Sequence, residues 1–184
     1  MSKELGVYIG RFQPFHNGHL EVIKQSQEYF DHVLVLVGSS NSARSIRNPF
    51  SYSERCRMIK SCFITDRVSV KPLNDYIYRD EQWLSEVHRL VDSAIRDLPY
   101  SSQYDSIKII GYDKDPTTSY YLKMFGDWGK FTIKPVLTDD EKILSSTDIR
   151  EAYLKDDNFE NLIQYIQFLH FVQSFRIYAN KIQV

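Results

Sequence analysis

Gly10-Arg11-Phe12-Gln13-Pro14-Phe15-His16-Asn17-Gly18-His19 lies between an apolar run, Leu5 to Ile9, and a stretch with apolar residues at Leu20, Ile23 and Phe30. The run reads as a buried strand and the stretch as an amphipathic helix over 18–30. A strand, a glycine-bearing turn and a helix start together make an anion-binding unit. The backbone N–H groups of a first helical turn have no partner inside the helix, and the helix dipole places partial positive charge there. His16 and His19 add side-chain donors to the same anion, and Arg11 adds a permanent, forked cation. The competing reading, half of a zinc site, wants further ligands grouped nearby. His32, His88 and His170 are scattered, and Cys56 and Cys62 have no ligand-pair spacing.

Outward from this stretch, strand-like runs at 32–37, 68–72, 107–110 and 131–136 alternate with helical patterns at 52–63, 81–97 and 118–125. Ser51 followed by Glu54 reads as a capping box opening the second helix. The alternation predicts an α/β fold, a doubly wound, mostly parallel five-stranded sheet with helices on both faces. Ligands in such sheets sit at the carboxyl ends of the strands, near the topological switch point. Gly10, Gly38 and Gly111 each end a strand-like run, so their three loops are expected to face one crevice. After Thr147 the chain turns helical, through 149–154 and then 159–173.

A chain of 184 residues suits one well-buried domain. The expected division is a single domain over 1–184, with its core at 1–155, a C-terminal helical segment at 156–175 and a linker stub at 176–184. A formal charge of −1 provides no general basic field, which argues against nucleic acid as a partner. The two cysteines read as reduced thiols of a cytoplasmic protein. There is no leader-like start and no apolar run of membrane length, so no membrane partner is expected. An exposed C-terminal helix would permit contacts between subunits of a homo-oligomer.

Two further stretches carry chemistry. Ser145-Ser146-Thr147-Asp148-Ile149-Arg150 is a helix start with hydroxyls at the cap. It reads either as a plain cap or as a phosphate site, since hydroxyls, free N–H groups and an arginine one turn inward all meet phosphate oxygens. The loop 38–50 is either a solvated surface loop or, from its place at the crevice, an acceptor-phosphate site. Arg47 is the first choice there and Arg44 the second.

Gly-x-Phe-x-Pro-x-His-x-Gly-His resembles the signature of the HIGH-superfamily nucleotidyltransferases, which move a nucleotidyl group from ATP or CTP to a phosphate-bearing acceptor and release pyrophosphate. The resemblance covers roughly the first 150 residues and implies a Rossmann-like nucleotidyltransferase fold. Ser-x-Thr-x-x-Arg, ending at Arg150, is similar to a family motif that closes over the triphosphate. Asn48-Pro49-Phe50 with Glu54-Arg55 resembles the archaeal-type nicotinamide mononucleotide adenylyltransferases. Trp83 matches the aromatic on which those enzymes stack nicotinamide, though alone it would read as a helix anchor. Asp80 stands where many of them have Asn; it would either contact the acceptor or cap the following helix. Gly111-Tyr112-Asp113-Lys114-Asp115 is similar to a loop of a subgroup fused to a Nudix pyrophosphohydrolase. Tyr112 replaces that loop's usual His, and Lys114 would face either nucleotide phosphate or the loop's own carboxylates. No Nudix box is present in the sequence.

The resemblance implies AMP transfer from ATP to nicotinamide mononucleotide, giving NAD and pyrophosphate. Magnesium would be carried with ATP, with no metal ligands from the protein. His16, His19, Arg11 and Arg150 would be catalytic. Gly10, Gly18, Gly111, Lys114, Ser145, Ser146 and Thr147 would join them around ATP. Phe12, Gln13, Arg47, Asn48, Asp80 and Trp83 would take the acceptor. The alternatives are the same chemistry on nicotinic acid mononucleotide or another phosphate-bearing acceptor, and a nucleotide-sensing domain without turnover.

Overall fold

Along β1 (Glu4–Gly10), Leu5, Val7 and Ile9 pack on one side of a sheet and Tyr8 on the other. β2 (His32–Val37) repeats the alternation, with Leu34 and Leu36 on the first side and Val33, Val35 and Val37 on the second. Burial on both faces is why these strands read as unbroken apolar runs. The computed structural model describes residues 2–98, 104–111, 123–134, 137 and 143–155.

Helices cover both faces. α1 (Asn17–Tyr29) and α2 (Tyr52–Lys60) bring Leu20, Val22, Ile23, Met58 and Ile59 to the Tyr8 side. α3 (Asp80–Asp97) brings Val87, Leu90, Val91 and Ala94 to the other. With β3 (Val68–Pro72), β4 (Ser106–Gly111) and β5 (Gly129–Thr132), the sheet is fully parallel in the order β3-β2-β1-β4-β5. The chain runs outward from β1 through β2 to β3, then resumes on the opposite edge of β1 with β4. That reversal puts the switch-point crevice at the carboxyl ends of β1, β2 and β4. The Gly38 N–H donates to the Gly10 carbonyl there at 2.8 Å. α4 (Ser146–Lys155) closes the described chain.

The helix expected over 52–63 stops at Lys60 because its last turn tightens. Cys62 and Phe63 donate to carbonyls three residues back, at Ile59 and Lys60, instead of four. Cys62 thus lies beyond the helix. The fifth strand begins at Gly129, before the apolar run expected at 131–136. Its register with β4 is a backbone matter, and Gly129, Lys130 and Thr132 are all exposed. Tyr112, Lys114, residues 118–122 of the helix expected over 118–125, and the expected segments 156–175 and 176–184 lie outside the described residues; 123–125 are described and are not α-helical. No helix among the described residues is long and apolar enough to cross a membrane.

Candidate active site

The loop from β1 to α1 makes a strained turn. Phe12 has φ of 54°, in the left-handed region, and its side chain is only 1% exposed. A Cβ on Gly10 would stand 2.8 Å from the Phe12 ring, so glycine is what lets that ring fold back over the end of β1. Phe12 thereby serves the core with its side chain.

His16 caps α1 and His19 is its third residue. The two imidazoles stack with centroids 3.7 Å apart, and Phe15 stacks on His19 at 5.7 Å. The His16 backbone N–H donates to His19 Nδ1 at 3.3 Å. A neutral His19 ring therefore carries its proton on Nε2, where it is a donor. α1 has no acidic residue in its first turn, whereas Glu54, Asp80 and Asp148 occupy the first turns of α2, α3 and α4. The positive end of the α1 dipole is left for an external anion.

Three arginines share this end of the sheet. Burial and then the charge of Arg47 weaken proton binding by Arg11. Burial, then Arg11 and Arg47, do the same to Arg150. A guanidinium is a permanent cation in proteins, so the cluster is a standing positive field. Arg150 is 7% exposed and donates to the Gln13 carbonyl and, at 3.1 Å, to Thr147 Oγ1. Ser145 Oγ accepts from the Thr147 N–H at 3.2 Å, as an N-cap does, and Ser146 Oγ donates to the Pro14 carbonyl at 3.0 Å. The start of α4 is thus seated on the loop that carries the histidines.

The loop after β2 is held at several points. Gln13 is 1% exposed, and its amide donates to the Phe50 carbonyl at 2.8 Å and accepts from the Phe50 N–H at 2.9 Å. Its side chain, expected beside the acceptor, is therefore committed to the backbone. Arg44 donates to the Pro49 carbonyl and pairs with Glu54 at 2.8 Å; Arg47, like Arg44, is exposed. Asn48 Oδ1 is buried with no hydrogen-bond partner among the described residues, an acceptor in want of a donor.

Beyond β3 an open cleft of about 990 Å³ is lined by Asp75, Tyr78, Asp80, Glu81 and Trp83, among others. Trp83 is half-buried, its ring 6.1 Å from that of Phe125. Asp80 is the first residue of α3, whose N-cap is Arg79 with no side-chain cap bond. Asp75 links the cleft to the arginines: its Oδ1 accepts from the Ser39 N–H at 3.1 Å, and its charge strengthens proton binding by Arg11.

Asp75 was not singled out in the sequence, and Arg55 appeared there only as part of a motif. Asp75 lies in the loop after β3, beyond Leu73 and Asn74, and its place in a loop at the same end of the parallel sheet is the signal that could have found it. Arg55 stands one helical turn before the buried Met58 and Ile59, a cation on an apolar face.

A cytidylyltransferase-like family model matches residues 7–152. The chain is 33% identical over 177 residues to a nicotinamide/nicotinic acid mononucleotide adenylyltransferase of Acinetobacter baylyi, covering 94% of this chain and 88% of that one. It is 31% identical over 164 residues to a nicotinamide-nucleotide adenylyltransferase of Saccharolobus solfataricus, covering 86% and 84%. A bifunctional NMN adenylyltransferase/ADP ribose pyrophosphatase of Francisella tularensis, solved with AMP and a manganese ion, superposes with a TM-score of 0.68 at 31% identity. That match covers 84% of this chain and 42% of the bifunctional one, so this chain spans less than half of that protein's length.

Proposed function

The chain belongs to the cytidylyltransferase-like family, and we propose that it is an adenylyltransferase that transfers AMP from MgATP to nicotinamide mononucleotide, forming NAD and pyrophosphate. One observation carries this reading: Arg11, Arg47 and Arg150 repel one another beside the N-terminus of α1 and the stacked His16–His19 pair. A polyphosphate is the ligand that relieves such a field.

In the reaction an oxygen of the acceptor's phosphate attacks the α-phosphorus of ATP. The bond from that phosphorus to the oxygen bridging to the β-phosphate breaks, and pyrophosphate leaves with the electron pair. The acceptor is already an anion, so no side chain has to remove a proton from it. The protein's work is positioning and charge stabilisation. His19, donating through Nε2, acts with His16 on the charge that builds on the leaving pyrophosphate. Arg11 and Arg150 hold the triphosphate with the cap of α4, and Gly10, Gly18 and Gly111 let the backbone come close. Arg47 and Asn48 take the acceptor's phosphoribosyl side, and Trp83 its pyridinium ring. Among the described residues no three His, Cys, Asp or Glu side chains cluster to hold a metal, and the divalent ion belongs to the substrate, MgATP.

The test is to incubate the purified chain with MgATP and nicotinamide mononucleotide and measure NAD and pyrophosphate together. Equimolar formation of both is expected. Absence of NAD, or release of ADP instead, overturns the reading. Nicotinic acid mononucleotide is run in parallel, because the Acinetobacter relative is named for both acceptors.

A further inference from the structure

Arg55, on the second turn of α2, is 1% exposed and lies beneath the arginine cluster. Its Nη1 donates to the carbonyls of Arg11 and Gly38, each at 2.7 Å. Its Nη2 donates to the Ser39 carbonyl at 3.1 Å, and its Nε to the Ser51 carbonyl at 3.3 Å. One side chain thus gathers the exit of β1, the exit of β2 and the entry of α2. Three of the four carbonyls adjoin strained backbone: Ser39 has φ of 51°, Gly38 directly precedes it, and Arg11 directly precedes Phe12 at 54°. Strain of that kind persists only where the surroundings over-determine it.

The bonding is unusual for a buried guanidinium. All four of these bonds go to neutral carbonyls, and the strongest favourable charge acting on it is the Asp75 carboxylate. Burial pushes Arg55 down to about 10, so it is still a cation at neutral pH. For holding a fold alone, an apolar side chain of similar volume often serves as well as a buried charge. What an apolar residue cannot do is set three strand-end and helix-start backbones against one planar fork.

We infer that Arg55 is a positioning residue for the nucleotide site: by gripping the Arg11 carbonyl together with those of Gly38, Ser39 and Ser51, it fixes the backbone from which the Arg11 guanidinium reaches the phosphates. The inference rests on the adenylyl-transfer reading above. Arg55 touches no substrate itself and acts through Arg11.

The test is a double-mutant cycle of Arg55→Lys and Arg11→Ala, read by kcat and KM for both substrates, by calorimetric affinity for inorganic triphosphate and by melting temperature. Lysine keeps the charge but replaces the planar fork with a point donor. A displacement near 1 Å can cost ~10²-fold in rate, so Arg55→Lys should lower kcat/KM for ATP by at least about 10-fold. Triphosphate affinity should fall with it. In the Arg11→Ala background the same replacement should cost almost nothing, because the coupled partner is gone. A loss of equal size with and without Arg11 overturns the inference. A lower melting temperature with unchanged kcat/KM and triphosphate affinity also overturns it and leaves a structural residue. If Arg55→Lys does not fold, Arg55→Gln goes through the same cycle. Failure of the wild type to make NAD would remove the adenylyl-transfer reading, whereas the triphosphate arm would still decide Arg55.

Discussion

Arg150 donates to the main-chain carbonyl of Gln13, a residue 137 positions earlier in the chain. The bond ties the second turn of α4 to the loop that leads into α1, as Ser146 ties its first, so two helix starts far apart in sequence share one loop. Arg150 has five N–H donors in a rigid fork, and those not used on Gln13 and Thr147 remain for phosphate. Structural and ligand-binding duty can therefore coexist in one side chain.

His19→Ala removes the imidazole whose Nε2 proton is fixed by the bond from the His16 N–H. A donor acting mainly in the transition state should cost at least ~10²-fold in kcat when deleted, with a much smaller change in ATP affinity. Steady-state kinetics with a calorimetric ATP titration decides this. Retention of most turnover would reduce His19 to a stacking partner of His16 and Phe15.

Arg47→Ala removes an exposed cation of the β2–α2 loop while leaving the Arg44–Glu54 pair that holds the loop. Loss of a charge-assisted contact to phosphate costs about 1.5–3 kcal/mol, so KM for the acceptor should rise roughly 10- to 150-fold. ATP affinity should change little. If ATP affinity falls instead, Arg47 serves the triphosphate and the division of the crevice is wrong.

What could be read in the sequence follows from the kind of force involved. The bounds of β2 and β3 match the expected 32–37 and 68–72, because apolar burial marks residues by type. β5 was misplaced since most of it is exposed and only backbone pairing defines it. The histidines and arginines of the crevice were visible because their chemistry is in their side chains. The bonds that Gln13 and Arg55 make were not, since they go to main-chain groups, 37 and 44 positions away. A carbonyl acceptor has no residue type, so nothing in the sequence names the partner.

His32 sets a pH dependence of stability that is separate from the site. It begins β2, is 4% exposed, and its Nε2 lies 2.8 Å from Ser69 Oγ. Burial pushes its pKa down to about 4, against an opposing pull from Asp66. Between that value and the unfolded 6.5 the unfolded chain binds more protons than the folded one, so stability rises with pH. The contribution is fully present above pH 6.5 and is lost as pH falls toward 4. Its total is on the order of 3 kcal/mol. Urea unfolding of wild type and His32→Gln across this range should give a visibly flatter profile for the variant. Parallel profiles would mean that another group titrates.

Asp80 should govern the choice between amide and acid acceptors. It lines the same cleft as Trp83, together with the carboxylates of Asp75 and Glu81. It does not cap α3, since that place belongs to Arg79. Both candidate acceptors carry a pyridinium ring, and a cation over an indole face gains ~0.5–2 kcal/mol, so Trp83 does not separate them. The substituent does. A neutral carboxamide can donate to Asp80, whereas a carboxylate there meets like charge in a cleft already acidic. Nicotinamide mononucleotide should therefore have the higher kcat/KM, and Asp80→Asn should narrow the gap by relieving repulsion and supplying a donor. Measuring both acceptors with wild type and Asp80→Asn checks it. Equal selectivity in the two proteins would place Asp80 outside the acceptor's reach and leave the stacking role of Trp83 untouched.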